Sequence, residues 1–150
     1  LKKFTFKFQS LLSLREQLER QKQEVFAKAQ RKLRTEEEKL YSLERTKTLV
    51  AQKYTSDASS GTKVYKLAEL GVFLSHMQKE ITWQKETVKK EKENVDKVRE
   101  ELLQAMKDRK ILEKLKEKRY DEYLIESKAE EQKVNDQIVS YKVSVGEMHG

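Results

Sequence analysis

The chain has no cysteine and no proline, and only four glycines in 150 residues. At average usage a chain of this length would carry about seven prolines and about ten glycines, so the missing turn formers argue against many short elements. Without cysteine there is no disulfide framework, no thiolate zinc site and no cysteine nucleophile, and a reducing compartment is compatible. Aromatic residues are 8%, with one Trp. No apolar run approaches the roughly 18 residues of a membrane span. The opening Leu1-Lys2-Lys3-Phe4-Thr5-Phe6-Lys7-Phe8 lacks the long apolar core of a signal peptide. The simplest expectation is a cytosolic protein.

What the chain does have is charge. Charged residues are 39% and hydrophobic residues 36%, where an ordinary domain has about 25% and about 45–50%. That is too little apolar material for a round core, yet the spacing is too regular for a disordered chain. The composition fits long helices that each bury one narrow stripe. The net charge of +7 is uneven: residues 1–54 carry 14 basic and 7 acidic side chains, 55–112 carry 12 and 10, and 113–150 carry 7 and 9. A basic first helix favours an acidic partner, a nucleic acid or an anionic membrane surface, without choosing among them.

Thr55-Ser56-Asp57-Ala58-Ser59-Ser60-Gly61-Thr62 is small, polar and glycine-bearing, as a loop between helices should be. After it, Leu67, Leu70, Leu74, Met77, Ile81, Val88, Val95, Val98, Leu102, Ala105 and Leu112 alternate in steps of three and four, with Gln84, Glu91 and Arg109 as polar interruptions. About six heptads in one register predict a coiled-coil seam. In the first segment Leu11, Leu14, Leu18 and Val25 make one stripe. Phe26, Ala29, Leu33, Leu40, Leu43, Val50 and Tyr54 continue it offset by one residue, which reads as a local change of phase. The expectation is therefore an all-α antiparallel two-helix coiled coil, a single hairpin with a helix over about 9–54, a loop over about 55–62 and a helix over about 63–140. Those helices would span about 69 Å and about 117 Å. With the turn near Ser59 and Ser60, Gln9 falls opposite Ile111, and the second helix overhangs the first. Residues 113–140 then project alone, leaving Leu115, Tyr120, Tyr123, Leu124, Ile125, Val134 and Ile138 without partners in the chain. An isolated helix gains little stability without a packed face, so the overhang predicts a docking partner. The tail from Tyr141 to Gly150 reads as frayed.

Catalytic chemistry is hard to assemble. His76 and Glu80 stand four apart, but two ligands are not a metal site, and a plain surface pair accounts for them. There is no Gly-rich phosphate loop, nucleophile elbow or Ser/His/Asp set. Carboxylates alternate with lysines, as in Glu86-Lys90 and Glu93-Lys97, in the manner of a solvated coiled-coil flank. The expectation is no enzyme, no metal and no cofactor. Lys28, Arg31, Lys32, Arg34 and Lys39 could meet phosphates, but Glu24 and Glu36 to Glu38 dilute the patch and no aromatics are interleaved for base stacking. Trp83 and Phe73 each stand one position before the seam, either shielding its edge or anchoring a partner. Gly71 inside the helix costs about 1 kcal/mol relative to Ala. Phe4, Phe6 and Phe8 alternate like a short strand, suited to cap the base of the second helix or to offer a sticky end.

Three stretches together resemble the flagellar export protein FliJ family. The opening Lys3-Phe4 through Phe8-Gln9-Ser10-Leu11-Leu12-Ser13-Leu14-Arg15-Glu16-Gln17 resembles its amino-terminal signature. Tyr54 with the helix Leu67 to Ile81 is similar to its hairpin tip. Leu112-Glu113-Lys114-Leu115-Lys116-Glu117-Lys118-Arg119-Tyr120 and Glu130-Glu131-Gln132-Lys133-Val134-Asn135-Asp136-Gln137-Ile138 are similar to its carboxy-terminal signature, with Asp136-Gln137-Ile138 where the family usually has Asp-Glu-Ile. The resemblance implies a component of the flagellar type III export apparatus, folded like the two-helix stalk of the γ subunit of rotary ATP synthases. It implies that the protein promotes assembly of the hexameric export ATPase FliI, reaches the export gate protein FlhA and helps escort export chaperones. It further implies a cytoplasmic protein, peripheral at the inner face of the membrane at the flagellar base and monomeric when isolated, with no nucleic acid as partner.

By that resemblance the gate-binding positions are Tyr54, Phe73 and Met77, within a patch that also takes in Leu43, Lys47, Val50, Glu80 and Gln84. Lys47 and Glu80 depart from the family's apolar character. The open end, with Leu11, Leu14, Leu115, Tyr120, Tyr123 and Leu124, would enter the ATPase ring. Alternatives are the equivalent stalk protein of a virulence type III secretion system, a generic structural coiled coil and a nucleic-acid binder.

Overall fold

The computed structural model of the chain describes residues 2–149, with side chains as far as Glu147. It is an all-α helical hairpin of two helices, α1 (Gln9–Ser59) and α2 (Val64–His149), preceded by a non-helical strap over residues 2–8. Each helix contributes to two compact units. One joins the chain up to Glu19 to the chain from Ala105 onward; the other is Arg20–Gln104.

Within Arg20–Gln104 the two helices are antiparallel and meet along the predicted α2 seam. Met77, Ile81, Val88, Val95 and Val98 are buried, and Leu67, Leu70, Leu74 and Leu102 are half-buried. Burying each such side chain stabilises by about 1.5–3 kcal/mol. The polar interruptions are built into the same seam. The Gln84 amide donates to the Glu36 backbone carbonyl at 3.0 Å and to its carboxylate at 2.6 Å, and Glu91 meets Lys32 at 3.3 Å.

The seam of α1 differs from the sequence reading. Its members are Leu12, Arg15, Glu19, Lys22, Phe26, Ala29, Leu33, Glu36, Leu40, Leu43, Lys47 and Val50, each buried or half-buried, in steps of three and four with no change of phase. Leu11, Leu14 and Val25 lie off the seam and are exposed. The apolar residues alone marked Phe26, Ala29, Leu33, Leu40, Leu43 and Val50 correctly but misplaced the stretch before them by one position, because charged side chains hold several of the seam's places. Those charges have partners on α2: Lys22 bonds Glu101 at 2.9 Å and Lys47 bonds Gln78 in one unit, and Arg15 meets Asp108 and Glu19 meets Arg109 in the other.

The loop is shorter than predicted, because α1 continues to Ser59. The hydroxyls of Thr55, Ser59 and Ser60 donate to the carbonyls of Ala51, Thr55 and Ser56. These residues satisfy themselves on the helix instead of breaking it. The helix ends in a Schellman-type bond, Thr62 N–H to the Asp57 carbonyl at 3.1 Å, with Gly61 left-handed at φ 79°.

In the unit that joins the two chain ends, Glu19 is 7% exposed and Leu12 only 2%. Arg109 donates to Glu19 and, at 2.7 Å, to Glu113. Lys116 donates to Gln9 at 2.7 Å. Gln9 thus stands near Lys116 rather than Ile111, a displacement of about 7 Å at 1.5 Å per residue. The strap alternates in burial, with Phe6 buried and Phe4 half-buried while Lys3, Thr5 and Lys7 are exposed, which is the period of an extended segment. It lies against α2: Phe4 packs on Tyr120 and Tyr123 with ring centroids 5.2 and 5.5 Å apart. Residues 113–127 are therefore not a lone projection, since the strap partners them. The overhang begins near Lys128, and every described side chain from there to Ser144 is exposed. The tail expected to fray is helical through His149; Gly150, and Leu1 at the other end, lie outside the described residues.

Candidate functional site

In the first unit, Leu11 and Leu14 are exposed on α1, Tyr120 and Leu124 are exposed on α2, and Leu115 and Tyr123 are half-buried. The structure does not bring these residues into one patch. By heptad position Leu11 and Leu14 lie on the flank of the seam opposite Tyr120 and Leu124. Tyr123 is committed to the strap, its hydroxyl donating to the Lys2 carbonyl at 2.6 Å. Beneath the strap runs an open cleft of about 620 Å³, lined by Phe4, Phe6 and Phe8 on one side and by Arg119, Tyr123, Glu126 and Ser127 on the other.

Beyond Lys116 the α2 seam takes a step of four where three is due. The alternation then resumes as Tyr120, Leu124, Ser127, Glu131, Val134, Ile138, Tyr141 and Val145. A one-residue shift of phase of this kind turns a stripe toward a new face. Tyr120, Leu124, Val134, Ile138 and Tyr141 are all exposed. The sequence reading registered Tyr120, Leu124, Val134 and Ile138 as unpartnered and gave Tyr141 to the tail, without seeing that they form one heptad stripe. The shifted three-four spacing was the signal that could have found it.

In the second unit Tyr54 and Phe73 are exposed, while Met77 is 5% exposed and belongs to the seam. Phe73 is joined near the start of α2 by exposed Val64, Tyr65 and Val72. Trp83 is 77% exposed, so it shields no part of the seam. A shallow groove of about 540 Å³ beside the seam is lined by Leu43, Thr46, Met77 and Gln84. Among the described residues no cluster of three or more His, Asp or Glu side chains is placed to hold a metal ion, and no helix is long and apolar enough to cross a membrane.

Perturbed ionisation follows the cross-helix contacts. The bond from Gln84, then Lys39, holds Glu36 below the ordinary carboxylate range. Lys22 does the same for Glu101, and bonds to Glu19 and Glu113 raise Arg109. All three are structural ties between or along helices.

The sequence profile of the family described as flagellar FliJ protein matches residues 4–147. The chain belongs to the FliJ family. No curated protein matches it in sequence. Among solved structures it is similar to CT670 of Chlamydia trachomatis, described as a YscO homolog, at 23% identity and a TM-score of 0.54, over 99% of this chain and 100% of that one. That likeness supports the fold. Membership of the FliJ family associates the chain with the type III protein export apparatus.

Proposed function

We propose that this chain is a stalk-like component of the flagellar export apparatus. It promotes assembly of the hexameric export ATPase, links that ring to the membrane export gate and helps escort export chaperones, acting by binding and not by catalysis. The observation that carries this reading is the heptad stripe from Tyr120 to Tyr141, whose five apolar side chains are exposed although the strap's Phe4 touches the first of them. A solvated single helix of this length lacks the packed face that normally stabilises it, and a ring lined by apolar side chains would supply one. Leu11 and Leu14 would meet the ring on the opposite flank, with Leu115 and Tyr123 supporting the docking helix from beneath. Near the hairpin turn Phe73 and Tyr54 are the accessible anchors for the gate. Met77 would hold the seam beneath them.

The test is ATP hydrolysis by the cognate export ATPase with and without the chain, alongside ring counts by electron microscopy. Stimulation with more hexamers is expected, both lost when the chain is cut after Glu130, which removes most of the stripe and leaves the strap's footing. No effect from the folded full-length chain would sink the assignment. The virulence counterpart is the second reading, favoured by the likeness to a YscO homolog. Restored swimming of a strain lacking its flagellar FliJ-family protein would decide for the flagellar system.

A further inference from the structure

The composition of α2 changes where its tertiary contacts end. Residues 113–130 are mostly Glu, Lys, Leu, Arg and Ala, all good helix formers, and the strap packs on them through Tyr120 and Tyr123. From Val134 to Gly146, every residue except Gln137, Tyr141 and Lys142 is β-branched or is Asn, Asp, Ser or Gly. Each of these weakens a helix interior relative to Ala. The described side chains from Lys128 to Ser144 are all exposed, so no packed face offsets the loss. The Gln132 amide donates to the Asp136 carboxylate at 3.4 Å, a long bond within one turn. A Cβ at Gly146 would meet no atom within 4 Å, so no close approach calls for glycine there. The rest of α2 supplies the helix nucleus, and propagation alone then decides how far the helix extends. Val134, Ile138 and Tyr141 stand in one stripe only while the segment is helical.

Resting on the reading of the stripe as a docking surface, we propose that residues 131–147 open and close as a helix in the free protein and are held helical by the partner. Docking and the last step of folding are then one event. Apparent affinity is the intrinsic affinity multiplied by the fraction of molecules in which the segment is helical. Residues that never touch the partner therefore help to set how firmly the chain holds it. Such coupling combines a long contact surface with ready release.

Ser140 and Val143 are exposed and lie, by heptad position, on the side of α2 away from the stripe. The test compares three chains for binding to the cognate export ATPase: the unchanged chain, one with Ser140→Ala and Val143→Ala, and one with Ser140→Gly and Val143→Gly. Circular dichroism measures the helicity of each free chain, and amide exchange is followed in the unchanged chain, free and bound. The alanine pair is expected to raise helicity and to bind about two- to fivefold tighter, and the glycine pair to lower helicity and to bind weaker by a similar factor. Amides over 131–147 are expected to exchange fast in the free chain and to become protected in the complex. Equal affinities for all three chains overturn the coupling and leave the docking reading intact. Free-chain amides over 131–147 as protected as those between Val88 and Val98 do the same. Absence of binding by all three chains overturns the docking reading and this inference with it.

Discussion

Leu12 and Leu11 are chemically identical neighbours with opposite fates: one is 2% exposed against α2, the other 39%. Leu12→Ala is expected to cost about 2–4 kcal/mol, because it leaves a cavity in the seam. Leu11→Ala and Leu14→Ala should each cost less than about 1 kcal/mol. Urea unfolding of the three variants checks the ordering, and equal losses at 11 and 12 would contradict the seam described here. The glycines separate in the same way. A Cβ at Gly71 would meet no atom within 4 Å, so Gly71→Ala should raise stability by about 0.5–1 kcal/mol through helix propensity. Gly61 has equal room but a left-handed φ, so Gly61→Ala should lower stability by about 1 kcal/mol. Thermal melts of the pair should move in opposite directions. At this scale the sequence marked α2's seam residues one by one, because nearly all of them are apolar. On α1 it marked Phe26, Ala29, Leu33, Leu40, Leu43 and Val50 but missed Arg15, Glu19, Lys22, Glu36 and Lys47, which sit in the same seam and which only their α2 partners explain.

Between helices, the polar layers fix which residue faces which. An apolar seam with a seven-residue repeat tolerates a slip by one heptad. A slip would part Gln84 from Glu36, Lys22 from Glu101 and Arg109 from Glu19, leaving half-buried charges unpaired. The carboxylates also give the hairpin a pH response. Glu36 and Glu101 are held below their ordinary value of 4.5 by Gln84 and Lys22. A depressed carboxylate contributes stability that is present above its unfolded pKa and lost as pH falls through its folded one. Melting temperature should therefore stay level from neutral pH down to about pH 5 and decline below the ordinary glutamate value near 4.5. Glu36→Gln should flatten part of that decline, and a decline unchanged by Glu36→Gln would remove this layer from the account.

For the molecule as a whole, the described side chains from Lys128 to Ser144 are exposed. Removing residues 131–150 is therefore expected to leave the melting temperature of the remainder unchanged, while abolishing ATPase stimulation. A large drop in melting temperature would mean that the segment is needed for folding. Sedimentation should give a single species near 17.8 kDa. One feature acts against self-association along the free stripe: Glu131 within it would face its own copy in a parallel pair.

Much was decided by the sequence alone. The shortage of proline and glycine, the high charge and the three-four spacing from Leu67 to Leu112 dictated two long antiparallel helices, since periodicity is a local property of the chain. The opening and closing signatures likewise carried the family. Other features depended on tertiary contact. The α1 seam, the register, the footing of the strap on Tyr120 and Tyr123 and the true start of the overhang each depend on contacts between residues 31 to 121 positions apart. A charged residue at a seam position looks like a surface residue until its partner stands opposite. An alternating Phe4-Thr5-Phe6-Lys7-Phe8 has no face to bury until α2 passes beneath it.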